Sequence, residues 1–464
     1  MRLSPMRFGM VTRSTFLALA IWACPAGAGD APSVFGVDAP ELARLGQFAV
    51  GVRTLHLVEH DQVDVAAFEA THGKAARRDR LLEVDLWYPA QPADAAPRAV
   101  YTASFPSEPP APPVSFSVPG IAVRDAPPAL SGAGYPLIVV SHGYSNDPAA
   151  MTWITENLAS KGYVVAAIHH DDPPITDRGK FGGPLLRRAL DIAFVTDSLR
   201  TQLAAEHLID PQRIALIGYS MGGYGVLTAA GASLDPAGPP THYVPGSLLQ
   251  PYVRGGPLQD AVTVKGLAAV VAISPAGGGT LAAWGAEGLL GIKVPLLLIA
   301  GDADRTVDYS TGARAIFNGA SNAQRYLLTL KGAGHSIGLS PAPEAMRKRL
   351  WDQDWFEDPV WNKERVNAIN AHFITAFLDE YVKDDSSRAA YLNVKVSESS
   401  DGAWPPTEPP PAYDAYSPGV GDVTAWKGFQ RNHAAGLELI QAPPARQPSR
   451  MDRATSRSAA LLVR

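Results

Sequence analysis

Apolar residues follow two rhythms along this chain. Through its middle they form short unbroken runs: "PLIVVSHG", "YVVAAIHH", "RIALIGYS", "GLAAVVAISP" and "VPLLLIAGD". Runs of this length, rich in β-branched residues and bounded by glycine or proline, predict strands buried on both faces. Between them, apolar positions recur every three or four residues. "MTWITENLASKG", "LLRRALDIAFVTDSLRTQLAAE" and "YGVLTAAGA" therefore read as helices. Strand and helix in alternation predict an α/β fold: a mostly parallel central sheet with helices on both faces. "RVNAINAHFITAFLDEYVKDD" would close the domain as an amphipathic helix, with Val366, Ile369, Phe373 and Phe377 at threes and fours.

The flanks are less regular. "FAVGVRTLHLVE" (Phe48 to Glu59) alternates loosely, and "RLLEVDLWYPA" (Arg80 to Ala90) reads as a second strand. From Gln91 to Pro136 the chain is crowded with Pro, Ala and Ser, which predicts a long surface connection. A Pro- and Gly-rich insertion over 233–264 follows the helix after "RIALIGYS" and is a candidate lid. The main domain is expected over 29–385. A Pro-rich extension over 386–442 follows, with Trp426 and Phe429 packing back on the domain. The last stretch, 443–464, carries five arginines and no core pattern, and is expected to be a disordered basic tail. No internal repeat is visible.

Composition narrows the classes. With 464 residues and 46% hydrophobic content the chain can bury a large core. A net charge of -5 and the lack of a basic face argue against nucleic acid as the main partner. The N-terminus differs in kind: Arg2, Arg7 and Arg13 precede the apolar "FLALAIWA" and an Ala26-Gly27-Ala28 ending. These are the parts of a secretory signal peptide over 1–28, and they predict a secreted or periplasmic protein. The run is too short for a transmembrane anchor and no later one reaches spanning length. Trp22 is too bulky for the small-residue pattern that would make Cys24 a lipid-anchoring site. Cys24 is the only cysteine, so a processed chain has no disulfide, thiolate metal site or cysteine nucleophile.

Candidate chemistry centres on "RIALIGYSMGGYG", Arg213 to Gly225. Gly218-Tyr219-Ser220-Met221-Gly222 is a G-x-S-x-G segment between an expected strand and an expected helix, the context of a nucleophile elbow. Glycines on both sides remove clashes at a sharp turn and leave Ser220 exposed at the strand's carboxyl end. A serine hydroxyl needs a base, and the base needs an acid to orient it. "LIAGDADRTVDY" offers Asp302, Asp304 and Asp308, and "TLKGAGHSIG" offers His335. Asp304 has room to reach inward from the loop; Asp302, nearer the strand end, could instead cap the turn. Backbone amides of Met221, after the nucleophile, and Tyr144, in "VVSHGYSND", are the expected oxyanion donors. Other histidines have plainer readings. His169 and His170 stand beside Asp171 and Asp172, but adjacent strand residues point in opposite directions, so no metal site is expected. His170 is read as pocket lining, His142 as structural and His372 as interfacial.

The chain resembles the dienelactone-hydrolase-like branch of the α/β-hydrolases, and within it the platelet-activating-factor acetylhydrolase-like and polyester-hydrolase-like esterases. "VDLWYPA", "PLIVVSHGYSND", "LASKGYVVAAIHHDD", "RRALDIAFVTDSL", "RIALIGYSMGG", "VPLLLIAGDADRTV" and "GAGHS" carry the resemblance, from about Leu81 to Ser336. It implies an α/β-hydrolase fold and an acyl-ester hydrolase. Ser220 would be nucleophile, Asp304 acid, His335 base, and the Tyr144 and Met221 amides the oxyanion hole. The chain departs from dienelactone hydrolase itself, whose nucleophile is cysteine. The 233–264 insertion and the Pro-rich extension match no part of that pattern. No cofactor and no metal are implied. The substrate is expected to be a small-molecule, lipid-like or polyester ester with an apolar or aromatic part, bound by Tyr144, His170 and Trp284. An amidase or peptidase using the same triad is the nearest alternative, and a non-catalytic binding protein of the same shape is the other. Oligomeric state is not legible.

Overall fold

All seven residues of Tyr135–Ser141 are buried, as a run without a polar face must be. That run is the centre of the sheet. The computed structural model describes residues 35–70, 76–93, 95–404 and 424–445. Its strands are β1 (Ala49–Val63), β2 (Arg77–Ala90), β3 (Arg98–Phe105), β4 (Val114–Arg124), β5 (Tyr135–Ser141) and β6 (Val164–Ile168), followed by β7 (Ile209–Tyr219), β8 (Leu267–Ile273), β9 (Leu296–Gly301), β10 (Arg325–Leu330) and β11 (Leu437–Ala442). They form one sheet in the order β11-β10-β9-β8-β7-β5-β6-β2-β1-β4-β3. The six strands from β6 to β10 in that order are mutually parallel, and β2 and β11 pair antiparallel on either side of them. The expected mostly parallel sheet with helices on both faces is the observed one.

Period-two alternation sorts the core into two layers. Ile138 and Val140 of β5 face the layer of α1 (Thr152–Ser160), which supplies Ile154 and Leu158. Leu137 and Val139 face the opposite layer, with α2 (Gly182–Ala205) and α3 (Met221–Ala229). The closing helix, α4 (Lys363–Val382), joins α1: Val366, Ile369, Phe373 and Phe377 are all buried in that layer. The Asn362 side chain caps α4 by accepting from the Arg365 amide at 3.0 Å.

The stretch from Gln91 to Pro136, expected to be a long surface connection, instead contains two strands of the sheet. β3 and β4 pair antiparallel, and β4 joins β1 at Gly51 and Val52. On β3 the buried positions are Ala99, Tyr101, Ala103 and Phe105. An edge hairpin needs only one apolar face, and here half of that face is alanine among Pro and Ser, so the alternation is faint in the sequence. Phe105 stacks on Phe356 with centroids 5.0 Å apart and meets Trp355 edge-on at 5.8 Å.

The insertion over 233–264 is built of short helical turns. Val244, Leu249, Val253, Val262 and Val264 are buried in the α2/α3 layer. Residues 405–423, which hold the Pro-rich segment, lie outside the described residues, as do the N-terminal residues 1–34 and the basic tail from 446. Trp426 and Phe429 are buried against α4, where Phe429 lies 5.1 Å from the His372 ring. This segment also meets the start of the described chain. Glu41 donates its amide to the Gly428 carbonyl at 2.8 Å, and Gln430 donates to the Val37 carbonyl at 2.7 Å. The Leu42 amide donates to His372 Nδ1 at 3.1 Å. Among the described residues no helix is long and apolar enough to cross a membrane.

Candidate active site

The sheet order creates the site before any side chain is considered. From β5 the chain moves outward to β6, then returns to place β7 on the other side of β5. At such a switch point the loops leaving the two neighbouring strands part, and a crevice opens beyond their carboxyl ends. β5 ends at Ser141, leading into Gly143 and Tyr144; β7 ends at Tyr219, leading into Ser220.

Ser220 stands between β7 and α3 at φ 52°, ψ -115°. A non-glycine residue there carries about 1–3 kcal/mol of backbone strain, held by its surroundings. The Ser220 amide donates to the Ile273 carbonyl at 2.9 Å, and its carbonyl accepts from the Ala276 amide at 2.9 Å. The flanking glycines are forced by close approach. A Cβ on Gly218 would lie 2.2 Å from the Gly222 carbonyl oxygen, and one on Gly222 would lie 1.9 Å from that of Ser141. The turn can be this tight only without those side chains.

The structure brings Ser220, His335 and Asp304 together. His335 Nε2 lies 3.0 Å from Ser220 Oγ, and its Nδ1 lies 2.8 Å from Asp304 Oδ2. Asp304 is 4% exposed, and its Oδ1 accepts the Thr306 amide at 2.9 Å and the Val307 amide at 3.2 Å. Burial pushes its pKa up, but the hydrogen bond and charge of His335, with those two amides, hold it below the usual carboxylate range. Asp302 instead caps the turn, accepting the Gly332 amide, and exposed Asp308 caps the turn at Thr311. The His335 loop is pinned on all sides. Gly334 donates to Asp358 at 2.6 Å, Tyr219 Oη to the His335 carbonyl at 3.2 Å, and buried Lys363 to the Ser336 carbonyl.

Around this line lies a cleft of about 870 Å³. Tyr144, Met221 and Tyr219 line it, with Phe181, Tyr243, Trp351 and Trp355 as further aromatic wall. Tyr144, Phe181 and Tyr243 form an edge-to-face chain with centroids 5.5 and 5.8 Å apart. Sequence reasoning missed Phe181, Tyr243, Trp351 and Trp355, because they come from three separate connections and share no spacing. Two expected lining residues are corrected. Trp284 is 2% exposed, donates to Thr228 Oγ1 at 3.1 Å and stacks on Tyr224, in the core beneath α3. His170 is likewise 2% exposed and lies outside this cleft, bonded to Ser141 and Asp191. His372 is fully buried, accepting the Leu42 amide, at the junction of α4 with the chain-end segments.

Among the described residues, Glu83, Asp85 and His169 have the spacing of a metal site. His169 sits between carboxylates, 3.1 Å from Asp85 and 3.5 Å from Asp147. Burial works against its charge, but the Asp147 and Asp85 carboxylates raise its pKa to about 10. In this arrangement the two carboxylates favour the charged, ion-paired form of His169.

Comparison with known proteins places residues 126–241 against a family model described as PET hydrolase-like. Cutinase est2 of Thermobifida alba is 36% identical over 101 residues, which are 22% of this chain and 32% of that protein. Bis(hydroxyethyl) terephthalate hydrolase of Streptomyces coelicolor is 32% identical over 104 residues, 22% of this chain and 31% of that protein. The chain thus matches about a third of the length of these relatives. Among solved structures, a ferulic acid esterase from Streptomyces cinnamoneus superposes with a TM-score of 0.49 at 21% identity, over 75% of this chain and 94% of that one.

Proposed function

We propose, from the premise that this chain is an α/β-hydrolase with a nucleophile elbow, that it is an exported serine hydrolase of carboxylic esters. In this reading His335 Nε2 takes the proton of Ser220 Oγ as that oxygen attacks the ester carbonyl. The carbonyl oxygen becomes an oxyanion facing the amides of Met221 and Tyr144, and each such donor is worth about 3 kcal/mol at the barrier. Collapse breaks the carbon–alkoxide bond. The departing alcohol takes the proton from His335, and the acyl group stays on Ser220. Water then enters, gives a proton to His335 and attacks the acyl carbon; the proton returns to Ser220 as the acid leaves. Asp304 stays ionised throughout, keeps the Nδ1 proton in place and stabilises the imidazolium.

One observation carries the reading: an unbroken line of hydrogen bonds, 3.0 and 2.8 Å, from Ser220 through His335 to Asp304, at the floor of an open cleft. The aromatic walls favour an ester with an aromatic or apolar part, whether small molecule, lipid-like or polyester. The activities named for the cutinase and terephthalate-ester relatives point the same way. Export is supported by the basic, apolar and small-residue pattern over 1–28.

The test is turnover of p-nitrophenyl esters of increasing acyl length and of bis(hydroxyethyl) terephthalate, beside a fluorophosphonate label. Wild type is expected to turn over and to take the label; Ser220→Ala is expected to lose both, with kcat down by about 10⁶. A wild-type protein that neither labels nor hydrolyses any of these esters would overturn the reading.

A further inference from the structure

A second chain of serine, histidine and aspartate lies behind the first. Ser141 Oγ is 2.9 Å from His170 Nε2, and His170 Nδ1 is 3.1 Å from Asp191 Oδ2. All three are buried and none lines the cleft around Ser220. What they touch is the loop that carries Tyr144.

The protons on this chain can be assigned one after another. Asp191 accepts Arg80 Nε and Nη2, both at 2.8 Å, and its carboxyl is held far below the ordinary range: burial opposes ionisation, and Arg80, His170 and Arg187 overcome it. An ionised Asp191 only accepts, so the proton of His170 is on Nδ1, its Nε2 accepts, and Ser141 donates. The backbone amide of His170 in turn points at His142 Nε2, 3.3 Å away. His142 therefore carries its proton on Nδ1, which donates to the Gly143 carbonyl at 2.7 Å. Burial keeps both rings neutral, driving the pKa of His170 down to about 3 and that of His142 well below its ordinary value.

The Gly143 carbonyl and the Tyr144 N–H are the two ends of one trans peptide, and they point in opposite directions. The Gly143 carbonyl also accepts the Asn146 amide at 3.3 Å, and with His142 these two donors set which way the Tyr144 N–H faces. They also polarise that N–H as a donor. The loop is tied on either side of this peptide. Arg188 Nη1 donates to the His142 carbonyl at 3.0 Å and pairs with Asp172, which accepts the Ser145 amide at 3.1 Å.

We propose that His142, backed by His170, is a positioning residue that aims the Tyr144 amide at the oxyanion. The inference rests on the esterase reading above only in the role of that amide. Two substitutions separate positioning from mere packing. Asn places Nδ2 where His142 has Nδ1, so His142→Asn keeps the donor to Gly143; His142→Phe keeps the ring and loses it. The measurements are kcat and KM on a p-nitrophenyl ester, inhibition by a boronic acid that forms a tetrahedral adduct with serine, and the crystal structure of His142→Phe. The expected result is a kcat lower by about 10- to 100-fold for His142→Phe with KM within about twofold, boronate affinity falling in step, and largely preserved kcat in His142→Asn. In the crystal the Gly143–Tyr144 peptide should be rotated. A peptide that keeps its orientation in His142→Phe overturns the proposal whatever the activity. So does equal loss of kcat in both variants. A rotated peptide with undiminished kcat would leave the positioning intact and remove Tyr144 from the oxyanion hole, which is failure of the other reading.

Discussion

Two aspartates two residues apart show how much a single position decides. Asp302 and Asp304 leave the same strand end, yet one caps Gly332 and the other meets His335. Asp304→Asn is expected to lower kcat by about 10⁴, because the amide stabilises the wrong tautomer of His335. Asp302→Asn keeps an oxygen that can accept the exposed Gly332 amide and should change kcat by less than about threefold. Steady-state kinetics of the two variants decides between the aspartates. Stability should follow the same residue. The folded pKa of Asp304 lies below its unfolded value of about 3.9, so its contribution is full above that value and is lost as pH falls through the folded one. Thermal unfolding between pH 5 and 2 is therefore expected to show a shallower slope in Asp304→Asn, each pH step being about a unit. At this scale the sequence was legible where chemistry demands a residue type at a strand end. It was illegible where the question is which way a side chain faces. His170 and Trp284 have the right chemistry for a pocket and are turned into the core.

The elbow is the element whose form is most tightly dictated. Gly222→Ala would drive a Cβ into the Ser141 carbonyl, backbone against backbone, and neither side can yield without moving β5 or α3. We expect a loss above about 4 kcal/mol or no soluble protein, read by denaturant unfolding. Gly183→Ala is the contrast. Nothing lies within 4 Å of its Cβ site, and in α2 the change should stabilise by up to about 1 kcal/mol. A folded, active Gly222→Ala would mean that the strand–helix turn is looser than described. Elements with unbroken apolar runs or helical spacing were readable, and β5 to β9 lie where the sequence puts them. The β3–β4 hairpin was not, since Ala99 and Ala103 mark a buried face with almost no hydrophobic contrast. Nor was β11, where Glu438 and Gln441 interrupt a strand of six residues that gains its place by pairing with β10 and by a bridge from Glu398 to Glu438.

For the molecule as a whole, the segment from Trp426 to β11 belongs to the same body as the strands that lead into Ser220 and Asp304. Phe429 is 1% exposed against His372 and Phe373, so Phe429→Ala is expected to cost about 3–5 kcal/mol. Its ester turnover at low temperature should stay near wild type, because nothing in the cleft is touched. Denaturant midpoint and kcat measured on one preparation test both halves. An unchanged midpoint would make this segment an appendage.

The pairing of Val37 with Gln430 spans 393 positions, and that distance has a meaning in time. A chain made from its N-terminus emerges with residues 37–42 long before their partners exist. Holding so long a loop closed costs little more than a loop half its size, about 0.6 kcal/mol per doubling, so the obstacle is delay and not energy. Ser220, Asp304 and His335 have all been synthesised while α4 still lacks the cover of Trp426 and Phe429. Trp426 and Phe429 come later than all three, take no part in the proposed chemistry, and complete the cover of α4.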